Sequence, residues 1–192
     1  MPDDEPSDEE LMLAWTGGRV DAFERLFARH AGRLLTHLVH LVGDRARAED
    51  LFQEVFLRVI RKRAEYESRG SFRAWLFTIA HNAAADERRR SALRGTEAMA
   101  MDERASDERD DPIETTERGE IRERIEAALL RLPAAQREVF LLRERAGLDF
   151  ASIARVTGCG LATAKSRMRY ALEGLRRHLG DALAPAAEIG HE

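Results

Sequence analysis

Residues 70–90, GSFRAWLFTIAHNAAADERRR, combine three kinds of side chain that bind nucleic acid. Aromatic rings stack on unpaired bases and contribute about 1–3 kcal/mol per base, amides hydrogen-bond base edges, and arginines bind phosphates. On a helical wheel, Trp75, Asn82 and Arg89 lie beside an apolar stripe that can face a core. The stripe consists of Phe72, Leu76, Ile79, Ala80 and Ala83. We therefore predict a helix that holds single-stranded bases; the alternative is a Trp75 in the core and a solvated Asn82.

A second basic surface is predicted on a helix over residues 161–179. Apolar residues recur there at intervals of three and four, which indicates one buried face. The buried positions are Leu161, Ala164, Met168, Ala171 or Leu172, Leu175 and Leu179. The outer face and its flanks carry Thr163, Lys165, Ser166, Arg167, Arg169 and Tyr170. A short helix over 150–158 and a glycine-containing turn precede it, as in a helix-turn-helix whose second helix enters the major groove. The alternative is an ordinary solvated face.

A third surface is acidic and lies on a predicted helix over about residues 46–62. Its apolar residues indicate one buried face, formed by Leu51, Phe52, Val55 and Val59. The opposite face carries Glu49, Asp50, Gln53 and Glu54. Such a face suits a basic partner, although a merely solvated surface has the same composition.

The predicted helices fall into two groups, so we expect an all-α protein with two small helical domains. In the first group, a helix over 20–43 begins where Asp21 and Glu24 have the spacing of a capping box. Its helices cannot bury their apolar faces alone, so they should pack as one bundle. We place the domains at 9–94 and 121–180. They are flanked by a disordered acidic N-terminus (1–8), a flexible acidic linker (95–120) and a C-terminal tail (181–192).

The net charge of −4 conceals a separation of charge along the chain. Residues 1–10 contain six acids and no base, and residues 96–120 contain ten acids and three arginines. The remaining residues therefore carry a net charge of +9. Few branched apolar residues and high charge are typical of a flexible linker, which we expect at 95–120. Basic charge in the parts expected to fold indicates a polyanionic partner.

Several classes of function are disfavoured. No apolar run approaches the roughly 20 residues that cross a bilayer, and MPDDEPSDEE lacks the apolar region of a signal peptide. One cysteine, Cys159, forms no internal disulfide and is expected to be a small packing residue rather than a redox sensor. We find no catalytic nucleophile, phosphate-binding loop or paired catalytic carboxylates. We expect a cytoplasmic protein without membrane insertion, cofactor or enzymatic activity.

A metal site is the alternative use of four histidines, His30, His37, His40 and His81. His30 and His37 are two helical turns apart, about 10 Å along the axis, which is too far for one ion. Both lie on the apolar stripe of their helix, so we expect packed core residues. His37 and His40 have a spacing that allows a shared metal, but no further ligand completes the set.

Three motifs together resemble the extracytoplasmic-function (group IV) sigma factors of bacterial RNA polymerase, in the sigma-70 family. AEDLFQEVFLRV resembles the polymerase-binding helix of that family, and SRGSFRAWLFTIAHNAAADERRR resembles its promoter-melting and −10 element helix. LPAAQREVFLLRERAGLDFASIARVTGCGLATAKSRMRYAL resembles its −35 reader. The similarity extends from about Asp8 to Leu179, with the linker matching only in position and acidity.

The resemblance implies a function for each surface. The acidic face would bind the clamp helices of the polymerase β′ subunit, and the chain would also contact the β flap. The loop around Tyr66–Ser71 and Asn82 would hold a flipped −10 base, while three arginines would follow the phosphates. The residues implied at the −10 element are Tyr66, Ser68, Ser71, Phe72, Trp75, Asn82, Arg88, Arg89 and Arg90. The family also implies promoter DNA and an anti-sigma factor as partners.

The reader helix departs from the family at one point. Members often carry an arginine where this chain has Tyr170, and Arg169 stands one place earlier. Which −35 sequence is read is therefore open. Two rival interpretations are another helix-turn-helix regulator, such as a ligand-binding repressor, and a sigma-like decoy that binds only protein. Intact basic residues on both predicted DNA helices argue against a decoy.

Overall fold

The structure, a computed structural model, describes residues 5–67, 70–95 and 117–183. These ranges contain eight α-helices, one short 3₁₀ turn (Arg63–Glu65) and no strand, which confirms the all-α prediction. The helices are α1 (Asp8–Thr16), α2 (Val20–Val42), α3 (Arg45–Arg61), α4 (Phe72–Gly95), α5 (Glu117–Leu130), α6 (Ala134–Glu144), α7 (Phe150–Val156) and α8 (Leu161–Leu183). No helix within the described ranges is long and apolar enough to cross a membrane.

The capping box of the chain lies at α1 rather than at α2. The Ser7 hydroxyl accepts a hydrogen bond from the Glu10 backbone N–H at 3.2 Å, and the Ser7 N–H donates to the Glu10 carboxylate at 2.8 Å. The predicted cap at Asp21 is wrong, because α2 begins one residue earlier and Asp21 lies in its first turn. There it pairs with Arg19 at 2.6 Å.

Helices α1–α4 form what we term the N-terminal bundle. The predicted apolar stripe of α4, from Phe72 to Ala83, is buried, as is most of the predicted face of α3. Phe52 is the exception: it is half-buried, and Phe56, one turn later, is buried in its place. Phe77 is also buried, so α4 packs on two sides rather than one.

Helices α5–α8 form the C-terminal bundle, in which α7, a turn and α8 give the predicted helix-turn-helix. Asp149 caps α7 by accepting from the Ser152 N–H at 2.6 Å, and Gly158 occupies the left-handed region of the turn with φ of 62°. Along α8 the buried apolar side chains are Ala164, Met168, Ala171 and Leu175, whereas Leu179, predicted on the same face, is half-buried. Of the two alternatives, Ala171 faces the core and Leu172 is 39% exposed; Leu161, predicted to be buried, is exposed at the first turn.

The two bundles pack against each other and share a continuous apolar core, with α4 on α7 and α2 on α6. Polar contacts cross the junction: His81 Nδ1 lies 2.6 Å from Glu138 Oε1, and Arg137 donates to the Leu41 carbonyl at 3.0 Å. The acidic segment 96–116, residues 1–4 and the tail from 184 lie outside the described residues. The division into two domains with a flexible linker therefore stays a prediction.

Candidate nucleic-acid and polymerase interfaces

Three aromatic rings meet at the beginning of α4. The ring centroids of Tyr66 and Trp75 are 5.3 Å apart at an interplanar angle of 76°, and those of Phe72 and Trp75 are 6.0 Å apart. Tyr66 and Trp75 are half-buried, whereas Phe72 is 2% exposed and lies behind them. The wall that a base can stack on is therefore Trp75 with Tyr66, and Phe72 supports it from the core.

Tyr66 contacts the residues that immediately precede α4. Its hydroxyl donates to the Gly70 carbonyl at 3.3 Å, and Ser71 is exposed beside α4. Ser68, predicted to contact the base, lies outside the described residues. Burial raises the pKa of Tyr66, and the nearby carboxylates of Glu9 and Asp8 raise it further. Tyr66 therefore keeps its proton at neutral pH and remains a hydrogen-bond donor.

Trp75, Asn82 and Arg89 lie on one side of α4 because seven residues make nearly two full turns. The rise is about 10 Å from each of these residues to the next, so the row is about 20 Å long. Asn82 is exposed, as are Arg88, Arg89 and Arg90. The row passes from a stacking ring through an amide to cations, in the order that the sequence predicted.

The acidic face of α3 differs from the prediction at Glu54. Its carboxylate lies 2.5 Å from Arg58 and 3.2 Å from Arg90 on α4. Arg58 in turn binds Asp86 at 2.9 Å. The Arg58 hydrogen bond is the main reason that the pKa of Asp86 is lowered. Glu54 therefore joins α3 to the basic end of α4 and is not a free acid on the surface.

The outward face of α3 also contains apolar residues that the sequence reading missed. Glu49, Asp50 and Gln53 are exposed as predicted, and Glu49 pairs with Arg45 at 3.1 Å. Leu57 is 51% exposed and Ile60 is also exposed, on the same side as Gln53. The sequence already indicates that these residues share a face, because Gln53, Leu57 and Ile60 have i, i+4, i+7 spacing. Acids beside exposed apolar side chains form a surface suited to another protein.

The outer side of α8 presents most of its predicted residues to solvent. Thr163, Lys165, Arg169 and Tyr170 are exposed. Ser166 and Arg167 are half-buried, and the Ser166 hydroxyl donates to the Thr163 carbonyl at 3.0 Å. The Arg169 guanidinium lies 4.8 Å from the centre of the Tyr170 ring. Tyr170, which stands where family members often carry an arginine, thus holds the Arg169 guanidinium through a cation–π contact.

The histidines are packed rather than arranged around an ion. His30 and His37 are buried, as predicted, and His30 Nε2 lies 2.7 Å from Asp8. His37 packs edge-on against Phe77, with ring centroids 5.0 Å apart. In the part of the chain that the structure describes, no group of three or more His, Cys, Asp or Glu side chains could hold a metal. Cys159 is half-buried, with its sulfur 3.2 Å from the Thr157 hydroxyl.

Comparison with known proteins places these surfaces in a family context. The Sigma-70 region 2 family model matches residues 26–94, and the Sigma-70, region 4 model matches residues 122–175. The RNA polymerase sigma factor CarQ of Myxococcus xanthus is 38% identical over 174 residues, which cover 88% of this chain and 96% of CarQ. The ECF RNA polymerase sigma factor SigK of Mycobacterium sp. (strain KMS) is 30% identical, over 91% of this chain and 92% of SigK.

Solved structures show the same fold. The sigma factor RpoE from Bartonella quintana, in complex with the anti-sigma factor NepR, superposes with a TM-score of 0.69 and is 24% identical in sequence. The match covers 84% of this chain and 98% of the RpoE chain. At that identity the likeness concerns the arrangement of the helices.

Proposed function

Because this chain belongs to the extracytoplasmic-function (ECF) sigma factors of the sigma-70 family, and so directs promoter-specific initiation of transcription, we propose which side chains perform each step. The −10 element is read and opened by α4. The observation that carries this assignment is the row of Trp75, Asn82 and Arg89 along one side of the helix, where Trp75 is half-buried and the other two are exposed. A rigid helix keeps the ring, the amide and the guanidinium at fixed intervals, so that all three can contact the same single strand.

Opening the −10 element requires a base to leave the stack, at a cost of a few kcal/mol. Trp75 and Tyr66 offer an apolar surface for that base, and stacking returns about 1–3 kcal/mol. Asn82 donates to and accepts from the base edge, while Arg88, Arg89 and Arg90 bind the phosphates of the same strand. Ser68 and Ser71 belong to the loop that encloses the base, and Phe72 keeps the wall in place from behind.

Recognition of the −35 element falls to α8. Lys165 and Arg169 are exposed on its outer side, where a good contact to a base edge contributes about 1–3 kcal/mol of discrimination. Thr163, Ser166 and Arg167 suit the flanking phosphates. Tyr170 orients the Arg169 guanidinium through the ring contact, so the −35 preference of this chain depends on both residues.

Core RNA polymerase binds the outward face of α3. Glu49, Asp50 and Gln53 would meet basic residues of the β′ clamp helices, while Leu57 and Ile60 supply apolar contact area. We assign Glu54 a different task from its neighbours, namely to hold Arg90 and Arg58. We extend the proposal to a contact with the β flap, for which the family resemblance is the support.

Further features also follow from the family. A sigma factor works on RNA polymerase and chromosomal DNA, so we place this chain in the cytoplasm. RpoE of Bartonella quintana was solved with its anti-sigma factor bound, and we propose that this chain also has an anti-sigma partner.

Run-off transcription with core RNA polymerase on fragments of the host genome tests the proposal. The wild-type chain should start transcripts at defined promoters that core enzyme alone ignores. Arg169→Ala should weaken recruitment to a duplex −35 element about tenfold, yet leave opening normal on a promoter bubbled in advance. Asn82→Ala should do the reverse: closed complexes form, but thymines near the start site stay unreactive to permanganate.

Arg177→Ala provides the matched control, because Arg177 is also an exposed arginine of α8 but lies two turns after Arg169. It should behave as wild type in both assays. If Asn82→Ala opens promoters as well as wild type and with the same base preference, α4 is a packed helix with a basic end. If the wild-type chain starts no transcript at any promoter, all of these residue assignments are wrong.

A further inference from the structure

The beginning of α4 is held by a residue from outside the matched family region. The Phe72 backbone N–H, the first of α4, donates to Glu9 Oε1 at 2.9 Å. Glu9 lies in the first turn of α1, whereas the Sigma-70 region 2 match begins at residue 26. The first N–H groups of a helix have no partner within it, and a carboxylate is a favourable acceptor there because of the helix dipole.

Glu9 also lies beside the aromatic wall. Its carboxylate is near enough to Tyr66 to raise the pKa of the phenol, after the larger effect of burial. Phe72, whose N–H it binds, packs against Trp75 at 6.0 Å and Tyr66 at 6.4 Å. The Glu9 contact therefore fixes the first turn of α4, which carries Phe72 and Trp75, and Phe72 in turn packs against Tyr66.

Helix α1 is anchored by other residues, which leaves Glu9 free for this contact. Asp8 binds His30 at 2.7 Å and Arg29 at 3.0 Å, both on α2. The apolar side of α1 is buried, through Leu11, Met12 and Trp15. Loss of the Glu9 carboxylate should therefore leave α1 in place and affect only the beginning of α4, where Glu9 binds the Phe72 N–H.

We propose that Glu9 is a positioning residue for −10 recognition: it caps α4 from α1 and sets the place of Tyr66 and Trp75. This inference rests on the proposed role of α4 at the −10 element. Glu9 itself touches no base. Its effect is to keep the stacking surface in one arrangement, so that less conformational entropy is lost when the correct base binds.

The test uses the complete chain, both free and in holoenzyme, with three variants. Glu9→Ala removes the acceptor, and Glu9→Gln keeps an acceptor oxygen without the charge. Asp44→Ala is the matched control, because the Asp44 carboxylate caps α3 by accepting from the Arg47 N–H at 2.9 Å. It removes a carboxylate cap of the same kind from the same bundle, away from the aromatic wall.

Two measurements are made. Hydrogen exchange followed by mass spectrometry reports protection of residues 70–76 in the free chain. Binding of preassembled holoenzyme to labelled −10 non-template strands, with the preferred or a substituted base, gives a preference ratio that is independent of core affinity. We expect Glu9→Ala to exchange faster over 70–76 and to lower the ratio about fivefold, which corresponds to the loss of one hydrogen bond of typical strength. Glu9→Gln should retain most of the preference, and Asp44→Ala all of it.

The outcomes separate the inference from the assignment it depends on. Unchanged exchange over 70–76 in Glu9→Ala would mean that the cap is absent, and the inference fails. Faster exchange with an unchanged preference ratio would mean that Glu9 serves stability alone, and the inference fails again. A wild-type holoenzyme without any base preference at the −10 strand overturns the role of α4 as well.

Discussion

His37 makes the packing of the two bundles sensitive to acid. The ring is buried between α2, α4 and α6, and it contacts Phe77 edge-on. Burial lowers the pKa of His37 from 6.5 to about 4. The carboxylate of Glu138 opposes that shift, while the nearby His40 and His81 add to it. His37 is therefore neutral in the folded chain at pH 7.

The magnitude follows from linkage between protonation and folding. Between pH 6.5 and 4 the unfolded chain binds a proton at this position that the folded chain does not. The free energy of unfolding therefore falls as the pH is lowered through that window. With a folded pKa of about 4, His37 alone should cost about 2 kcal/mol of stability between pH 7 and pH 5.

Urea unfolding at pH 7 and pH 5, compared between wild type and His37→Leu, measures this cost. Leucine has a similar volume and does not titrate, so the variant should be near wild type at pH 7. From pH 7 to 5 the wild-type midpoint should fall further than that of the variant by about 1 M urea. Other titrating groups, such as His30, are common to both proteins and cancel in the comparison.

Equal pH dependence in the two proteins would refute the reasoning. Should His37→Leu fail to fold, titration of the His37 imidazole by NMR in the wild-type chain decides the same point. A pKa near 6.5 would mean that the ring is solvated, and that the buried junction between α2, α4 and α6 is wrong.

Two further predictions concern α3. Asp50→Lys should weaken binding to core RNA polymerase at least about tenfold, because like charges would meet at the contact, while circular dichroism remains helical. Co-elution with core enzyme at wild-type level would mean that the acidic face does not bind polymerase. Arg58→Ala should cost about 1 kcal/mol of unfolding free energy in urea, because Glu54 and Asp86 lose a shared partner that is only partly exposed. The loss of unfolding free energy should be smaller in 0.5 M salt. A loss that is the same with and without salt would indicate that Arg58 acts through packing and not through its charge.

The Glu54 contacts connect two surfaces that the sequence treats as separate. Glu54 stands on the helix proposed to bind polymerase, and Arg90 stands on the helix proposed to bind DNA. Their carboxylate and guanidinium are 3.2 Å apart, with Arg58 and Asp86 completing the group. These contacts join the two helices at the basic end of α4.

The sequence by itself determined the amphipathic faces of the main helices and the helix-turn-helix, although it did not predict α1. Each of these features depends on residues a few positions apart, such as the stripe from Phe72 to Ala83. Helical periodicity converts spacing into a face, and short-range hydrogen bonds set the ends. The order of ring, amide and cations along α4 was readable for the same reason.

Only the tertiary structure decided which distant residues meet. The Glu9 cap on Phe72 joins residues 63 apart, the His81–Glu138 contact joins residues 57 apart, and the Glu54–Arg90 pair joins residues 36 apart. It also buried Phe77, because His37 of α2 packs edge-on against the Phe77 ring. A side chain's spacing along one helix fixes its direction, but its partner depends on how the helices cross, and that angle is set by packing of the whole core.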